Sequence, residues 1–247
     1  GFHGSGDIYT HHFDEITKDF VDKIRQVDDS CLWKSTIEEM FWHVMKYIHH
    51  CHVNGVIFNH KKFVFCRMEL EFSGFLLTAD GIKPSPRIVD AIQKFPTPKN
   101  LTGIRSWFGL VNQVSYAFSQ TELMAPFRDL LKKNQKFYWD PALEQLFQQT
   151  KIKIIDQIKE GIKMFDCRKA TCLSTDWSKT GIGFLLFQQA CRCEPIEGPH
   201  CGGGHWVVVF AGSRFTTSAE SRYAPVEGEA LAVVYGLYSC KMFILGC

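Results

Sequence analysis

The stretch Ile24-Arg-Gln-Val-Asp-Asp-Ser-Cys-Leu-Trp33 decides how the first part of the chain is read. Apolar Ile24, Val27, Leu32 and Trp33 flank the pair Asp28-Asp29. Adjacent aspartates disfavour strand interiors and favour tight turns, so residues 19–33 are expected to form two short strands with the pair at the hairpin tip. Two-metal phosphoryl transfer needs carboxylates crowded at one rigid point, where two divalent cations hold the attacking and the leaving oxygen. Taken alone, the pair is more commonly a plain turn former.

Working outward, Ser35-Thr-Ile-Glu38 reads as a capping box for a helix with the apolar stripe Ile37, Met40, Phe41, Val44, Tyr47, Ile48 and Cys51, stopped by Asn54-Gly55. Val56–Phe58, Phe63–Cys66 and Phe72–Thr78 read as short strands, and Ala79-Asp80-Gly81 as a turn. From Lys83 the chain turns helical and basic. Ser85-Pro86, Asn100 and Asp140-Pro141 are helix starts, Pro96-Thr-Pro98 is a rigid linker, and Gly161 is a stop. The stripe Ile104, Trp107, Phe108, Val111, Val114 and Phe118 is assigned to the helix after Asn100. A shorter helix is expected around Pro126–Lys132. After Asp166 the period returns to strands at Thr171–Asp176, Gly181–Gln189 and His205–Ala211, followed by a helix over Val226–Phe243.

Composition limits the function classes. The 247 residues are 45% hydrophobic and include 21 Phe and 6 Trp, which excludes disorder for most of the chain. The longest apolar runs, at 206–212 and 230–237, fall short of the roughly 20 residues of a spanning helix. The net charge of +2 argues against a simple nucleic-acid-coating protein but conceals an uneven distribution. Residues 1–40 hold nine carboxylates against four Lys/Arg, a balance of −5; residues 83–133 hold eight Lys/Arg against three carboxylates, a balance of +5. An acidic head beside a basic middle fits a metal site next to a phosphate-binding surface, although solvated helix faces give the same pattern.

Ten cysteines without a C-x-x-C pair point to a reducing, intracellular setting, most of the thiols being expected as buried apolar groups. Cys191, Cys193, His200, Cys201 and His205 are zinc-ligand types, but their spacing fits none of the usual forms and a loose Gly-rich hairpin loop is the commoner outcome. A second carboxylate set is Asp176, at the end of an apolar strand, with Glu227-Gly-Glu229 at the start of an apolar helix. The plain alternatives are turn capping for Asp176 and a favourable helix terminus for Glu229.

Taken in order, these segments resemble a known family. Gln26-Val-Asp-Asp-Ser30, Asn54-Gly-Val-Ile-Phe-Asn59, Lys62-Phe63, Phe72-Ser-Gly-Phe75 and Asp80-Gly-Ile-Lys-Pro84 are similar to the reverse-transcriptase palm of gypsy-type LTR retrotransposon Pol polyproteins. Phe95-Pro-Thr-Pro-Lys-Asn-Leu101, Ile104-Arg-Ser-Trp-Phe-Gly-Leu110, Leu130-Leu-Lys-Lys133 and Phe137-Tyr-Trp139 resemble its thumb and connection. Leu173-Ser-Thr-Asp-Trp-Ser178, Gly181-Ile-Gly183, Ala211-Gly-Ser-Arg214, Ala219-Glu-Ser-Arg-Tyr223 and Glu227-Gly-Glu-Ala-Leu-Ala232 resemble its ribonuclease H domain.

The resemblance implies an α+β chain: partial palm at 1–82, thumb and connection helices at 83–165, and a truncated β-β-β-α ribonuclease H-like domain at 166–247. It implies an RNA-directed DNA polymerase with RNase H activity, using Mg2+ or Mn2+ at Asp28 and Asp29 and at Asp176 and Glu229. Its partners would be an RNA/DNA template-primer duplex, deoxynucleotides and other Pol or Gag segments. It would be located in a cytoplasmic virus-like particle and in the nucleus, with no membrane. Gly6 and Lys99 are assigned to nucleic-acid binding, as are Arg105 and Trp107, for which the alternative is a packing core with a surface Arg. Gln26 stands where the family has Tyr or Cys, and Lys34 where it commonly has Asp. Further acidic ligands are expected upstream of residue 1 and downstream of Cys247, so the stretch reads as an internal fragment with both sites incomplete, and is expected to be inactive on its own. A catalytically dead or domesticated fragment that only binds nucleic acid is the alternative.

Overall fold

A computed structural model of the chain describes residues 4–132, 136–190 and 205–246. It divides into two compact units, residues 1–73 and 74–247. The first contains α1 (Ser5–Thr17), β1 (Lys23–Gln26), β2 (Asp29–Leu32), α2 (Ile37–Val53) and β3 (Glu69–Phe72). Antiparallel β1 and β2 form the expected hairpin: Gln26 pairs with Asp29, leaving Val27-Asp28 as a two-residue loop. Val27 takes a φ of 54°, a region that β-branched residues rarely enter. With positive φ at Val27 but not at Asp28, the loop is not a type I′ turn, which needs positive φ at both central residues.

The cap of α2 is shifted by one residue from the sequence reading. Thr36, not Ser35, accepts from the Glu39 backbone, and Glu39 reaches back to the Thr36 N–H. Of the expected stripe, Val44, Tyr47 and Cys51 are buried, whereas Ile37 and Phe41 are exposed. Tyr47 and Cys51 pack with Phe13, Ile16, Phe20, Leu32, Val56 and Phe58 to form the core of this unit. The strands expected at Val56–Phe58 and Phe63–Cys66 are absent. Asn59 instead caps a short 3-10 turn, His60–Lys62, by accepting from the Lys61 N–H. The strand expected over Phe72–Thr78 is interrupted where Ser73 and Gly74 adopt φ of 51° and 83°.

The second unit opens with the antiparallel hairpin β4 (Phe75–Thr78) and β5 (Gly81–Pro84). Four helices follow, α3 (Pro86–Gln93), α4 (Leu101–Asn112), α5 (Thr121–Arg128) and α6 (Pro141–Ile158). The starts of α3, α4 and α6 lie where the sequence placed them, and Asn100 accepts from the Gly103 N–H at 2.9 Å and Asp140 from the Leu143 N–H at 2.7 Å. The helix expected around Pro126–Lys132 instead starts at Thr121, encloses Pro126 and ends at Arg128, because the chain tightens into a 3-10 turn at Asp129–Leu131. Val114 and Phe118 fall beyond α4, which ends at Asn112, and flank a 3-10 turn at Ser115–Ala117. An antiparallel sheet then forms from β6 (Thr171–Trp177), β7 (Gly181–Gln189) and β8 (Trp206–Phe215), with α7 (Pro225–Ser239) and α8 (Lys241–Ile244) behind. The strand expected to end at Ala211 runs on to Phe215. The added residues continue the pairing with β7, and Gly212 has no room for a side chain, because the ring of Phe184 stands 2.5 Å from a Cβ built there. The single helix expected over Val226–Phe243 breaks at Cys240.

Two contacts tie the helical connector to strands on either side. Ile82 and Ile162 exchange both backbone hydrogen bonds at 2.8 Å. Glycine is required beside each: a Cβ on Gly81 would lie 2.1 Å from the Ile162 carbonyl oxygen, and one on Gly161 would lie 2.2 Å from that of Ile82. The Lys163 N–H then donates to the Val208 carbonyl of β8 at 2.9 Å. The connector core, built on Trp107, Phe127, Phe147, Ile154 and Ile158, also takes in Val208 and Phe215.

Candidate active-site carboxylates and nucleic-acid interface

The hairpin tip is built from its own residues outward. Asp28 closes the turn and Asp29 opens β2, both exposed. Beneath them the Ser30 hydroxyl lies 2.8 Å from the Tyr47 hydroxyl, fastening β2 to α2. Burial pushes the Tyr47 hydroxyl above the usual tyrosine range. The Arg25 side chain, only 5% exposed, fixes the other side. Its Nε and Nη2 donate to Asp14 Oδ1 on α1 at 3.0 and 2.6 Å, and Nη2 donates to the Thr10 carbonyl at 2.8 Å. Its Nη1 donates to the carbonyl of Val27 inside the turn. The guanidinium carbon sits 4.4 Å from the centre of the Phe13 ring.

The second carboxylate set lies in the sheet-and-helix part. Asp176 pairs across the sheet with Gly183, which pairs in turn with Ser213. The next strand residue, Trp177, lies against α7: a Cβ on Gly228 would be 2.1 Å from its ring. The strand end holding Asp176 and the first turns of α7, holding Glu227 and Glu229, therefore meet through Trp177 and Gly228. Strand alternation directs Trp177 toward α7 and Asp176 to the opposite sheet face. Glu227 is engaged locally, accepting from the Ala224 N–H at 3.0 Å. Among the described residues, no hydrogen bond or ion pair engages the carboxylates of Asp28, Asp29, Asp176 or Glu229. Nor do three His, Cys, Asp or Glu side chains converge closely enough to form a metal cage there.

The four residues assigned to nucleic acid fall into two groups. Gly6 is exposed in the first turn of α1, and Lys99 and Arg105 are exposed on the connector. Trp107 is a correction. Its side chain is fully buried, with Phe95 and Phe147 ring centres at 5.3 and 5.0 Å, so it presents no face to a base. The i, i+3, i+4 stripe of α4 turns Trp107 inward and leaves Arg105 outside. The zinc-type residues Cys191, Cys193, His200 and Cys201 lie outside the described residues, while His205 is exposed just before β8. The expectation of mostly buried thiols also changes. Cys51 and Cys240 are buried, but Cys66, Cys167 and Cys172 are exposed.

Sequence reasoning missed Arg25 and Lys151. The Lys151 ammonium, buried in the connector, donates to the carbonyls of Gln93 and Phe95 at 3.0 and 3.2 Å. The available signal was a Lys in register with the apolar positions Phe147, Ile154 and Ile158 of α6.

Residues 166–247 match the family described as the RNase H-like domain found in reverse transcriptase. The chain is homologous to retrotransposon Pol polyproteins over most of its length. It is 24% identical over 219 residues to a Tf2-3 transposon polyprotein of Schizosaccharomyces pombe, covering 88% of this chain and 16% of that protein. It is also 24% identical over 259 residues to the retrovirus-related Pol polyprotein from transposon gypsy of Drosophila melanogaster, covering 100% of this chain and 24% of that one. The chain thus spans a quarter or less of these relatives. Among solved structures, the fold is similar to a foamy viral protease-reverse transcriptase in complex with RNA/DNA hybrid, with a TM-score of 0.80 and 19% identity, covering 100% of this chain and 32% of that one. No helix among the described residues is long and apolar enough to cross a membrane.

Proposed function

We propose that this chain is part of an RNA-directed DNA polymerase with an RNase H domain and acts on RNA/DNA duplexes. Residues 1–82 would be the later part of the palm, 83–165 the thumb and connection, and 166–247 the RNase H-like domain. The supporting observation is that the strand end carrying Asp176 lies against the first turns of α7, carrying Glu229, through Trp177 and Gly228, with Asp176 itself on the opposite sheet face.

Asp28 and Asp29 would hold metal for polymerisation, and Asp176 and Glu229 for cleavage. Exposed carboxylates without other partners supply the hard oxygen donors that Mg2+ or Mn2+ prefers. Such a cation, when bound, would stabilise charge on the transferring phosphoryl group. The chain's own contribution is positional: a two-residue turn fixes the first pair, and the packing of α7 on β6 fixes the second. Exposed Lys99 and Arg105, within the basic stretch 83–133, would meet backbone phosphates. Deoxynucleotides, other Pol or Gag segments, and a particle-borne or nuclear location belong to the same reading.

The test is Mg2+-dependent cleavage of a labelled RNA strand in an RNA/DNA hybrid by a polyprotein segment that contains this chain, alongside hybrid binding at several salt concentrations. Asp176→Asn and Glu229→Gln are expected to lower cleavage at least 100-fold while leaving binding intact. Unchanged cleavage in either variant would sink the assignment. Salt-dependent binding by the wild-type segment with no cleavage at all would favour the second reading, a duplex-binding piece without catalysis that relies on the same Lys99 and Arg105.

A further inference from the structure

We infer that Arg25 is a positioning residue for the Asp28–Asp29 turn: its guanidinium holds the central peptide of the turn so that Asp28 keeps a negative φ. The inference rests on the proposed metal role of the pair and adds the group that sets its geometry.

In a two-residue hairpin loop the peptide between the loop residues is the one free to flip. Flipping it changes ψ of the first loop residue and φ of the second, and a type I′ turn has positive φ at both. Here the peptide lies between Val27 and Asp28. Val27 is already at a φ of 54° and Asp28 is not in the positive region. The carbonyl of that peptide accepts from Arg25 Nη1. A flip would turn this oxygen away from the guanidinium and carry the Asp28 carboxylate to a different side of the hairpin.

The guanidinium is itself immobile. Asp14 takes two of its N–H groups, the Thr10 carbonyl takes another, and the Phe13 ring lies 4.4 Å from its central carbon. A buried planar fork with fixed donors suits this task, which a flexible ammonium would not perform equally well. The β-branched Val27 does not itself prefer the left-handed region, so an outside group must hold the turn. Arg25 reaches it from β1 and is held in place by α1, where its partner Asp14 lies eleven residues away in sequence.

The charge of Arg25 gives the test its sign. A cation near a metal site repels the metal, so removing it should tighten binding if its role were electrostatic. A positioning role predicts the reverse. Mn2+ titration of the 247-residue chain, followed by paramagnetic broadening of the Asp28 and Asp29 amides, should show affinity falling about tenfold in Arg25→Met. Arg25→Lys keeps the charge and serves as the folding-tolerant second variant, with a similar fall. The amide-to-Hα coupling of Asp28 provides an independent measure of its φ. It should report negative φ in the wild type and averaging toward positive φ in Arg25→Lys. An unchanged coupling in a folded Arg25→Lys chain overturns the inference, whatever the metal does. Unchanged or tighter Mn2+ binding in a folded Arg25→Met chain overturns it as well. If the wild type shows no broadening at residues 28 and 29, the metal reading of the pair falls, and the coupling still decides the role of Arg25.

Discussion

Gly228 of α7 lies directly over the indole of Trp177, with room for a hydrogen atom and nothing larger: a Cβ would stand 2.1 Å from ring carbon Cδ2. Helix propensity alone favours Ala over Gly by about 1 kcal/mol, yet here the ring is wedged and cannot yield. Gly228→Ala should therefore destabilise the second unit by about 2 kcal/mol, read from urea unfolding. Gly109 in α4 is the control, because a Cβ there meets nothing within 4 Å. Gly109→Ala should stabilise by about 0.5–1 kcal/mol.

Lys151 provides a second stability test. Its buried ammonium holds the carbonyls of Gln93 and Phe95 at the end of α3. Lys151→Met preserves the aliphatic bulk but leaves both carbonyls without that donor, and should cost about 2 kcal/mol. A midpoint unchanged in denaturant would show that water replaces the ammonium.

Acid should weaken one particular joint. Arg214 donates two hydrogen bonds to Glu220, both at 2.8 Å, and holds its carboxyl well below the ordinary 4.5, at about 2. A carboxylate depressed in the folded state stabilises fully above its unfolded value, and the contribution fades as pH falls from 4.5 toward 2. Discounted for solvent screening at the 36% exposed Arg214, the loss in Glu220→Gln should be about 1 kcal/mol at neutral pH. The variant and wild-type melting curves should converge as the pH approaches 2.

Thiol labelling distinguishes packed from open segments. Cys240 is fully buried, and burial pushes its thiol up to about 11. Cys66, Cys167 and Cys172 are exposed. Iodoacetamide at pH 8 under native conditions should modify those three within minutes and leave Cys240 intact until denaturant is added, as mapped by peptide mass. Rapid native labelling of Cys240 would contradict the packing of α7 and α8 on the sheet.

Much of the fold was legible because its punctuation is local. Asn100 and Asp140 each satisfy a backbone donor within their own first turn, so a short stretch of sequence contains all the information. The capping box was ambiguous for the same reason: Ser35–Glu38 and Thr36–Glu39 both satisfy the spacing, and only tertiary packing selects the latter. Val56–Phe58 and Phe63–Cys66 have strand-like composition, yet a strand requires a partner ladder that composition cannot supply. Of the candidate site, the Asp28–Asp29 hairpin tip was readable from turn chemistry. The burial of Trp107 was not, since a tryptophan on a helix looks the same whether its stripe faces a core or a ligand. Arg25 was invisible because its partners, Asp14, Thr10 and Phe13, lie on another element.

The paired hydrogen bonds between Ile82 and Ile162 join segments that leave the ribosome far apart in time. When β4 and β5 emerge, the edge that Ile162 will occupy stays open until the whole helical connector has been synthesised. The connector's exit at Lys163 must then wait for Val208 before its own amide is satisfied. Contacts of such long sequence separation close late, because the loop entropy is lost before the contact forms. The nascent chain therefore carries an unfinished strand edge while the 80 residues from Ile82 to Ile162 are made, and this interval is when it is most open to mispairing or capture by a chaperone.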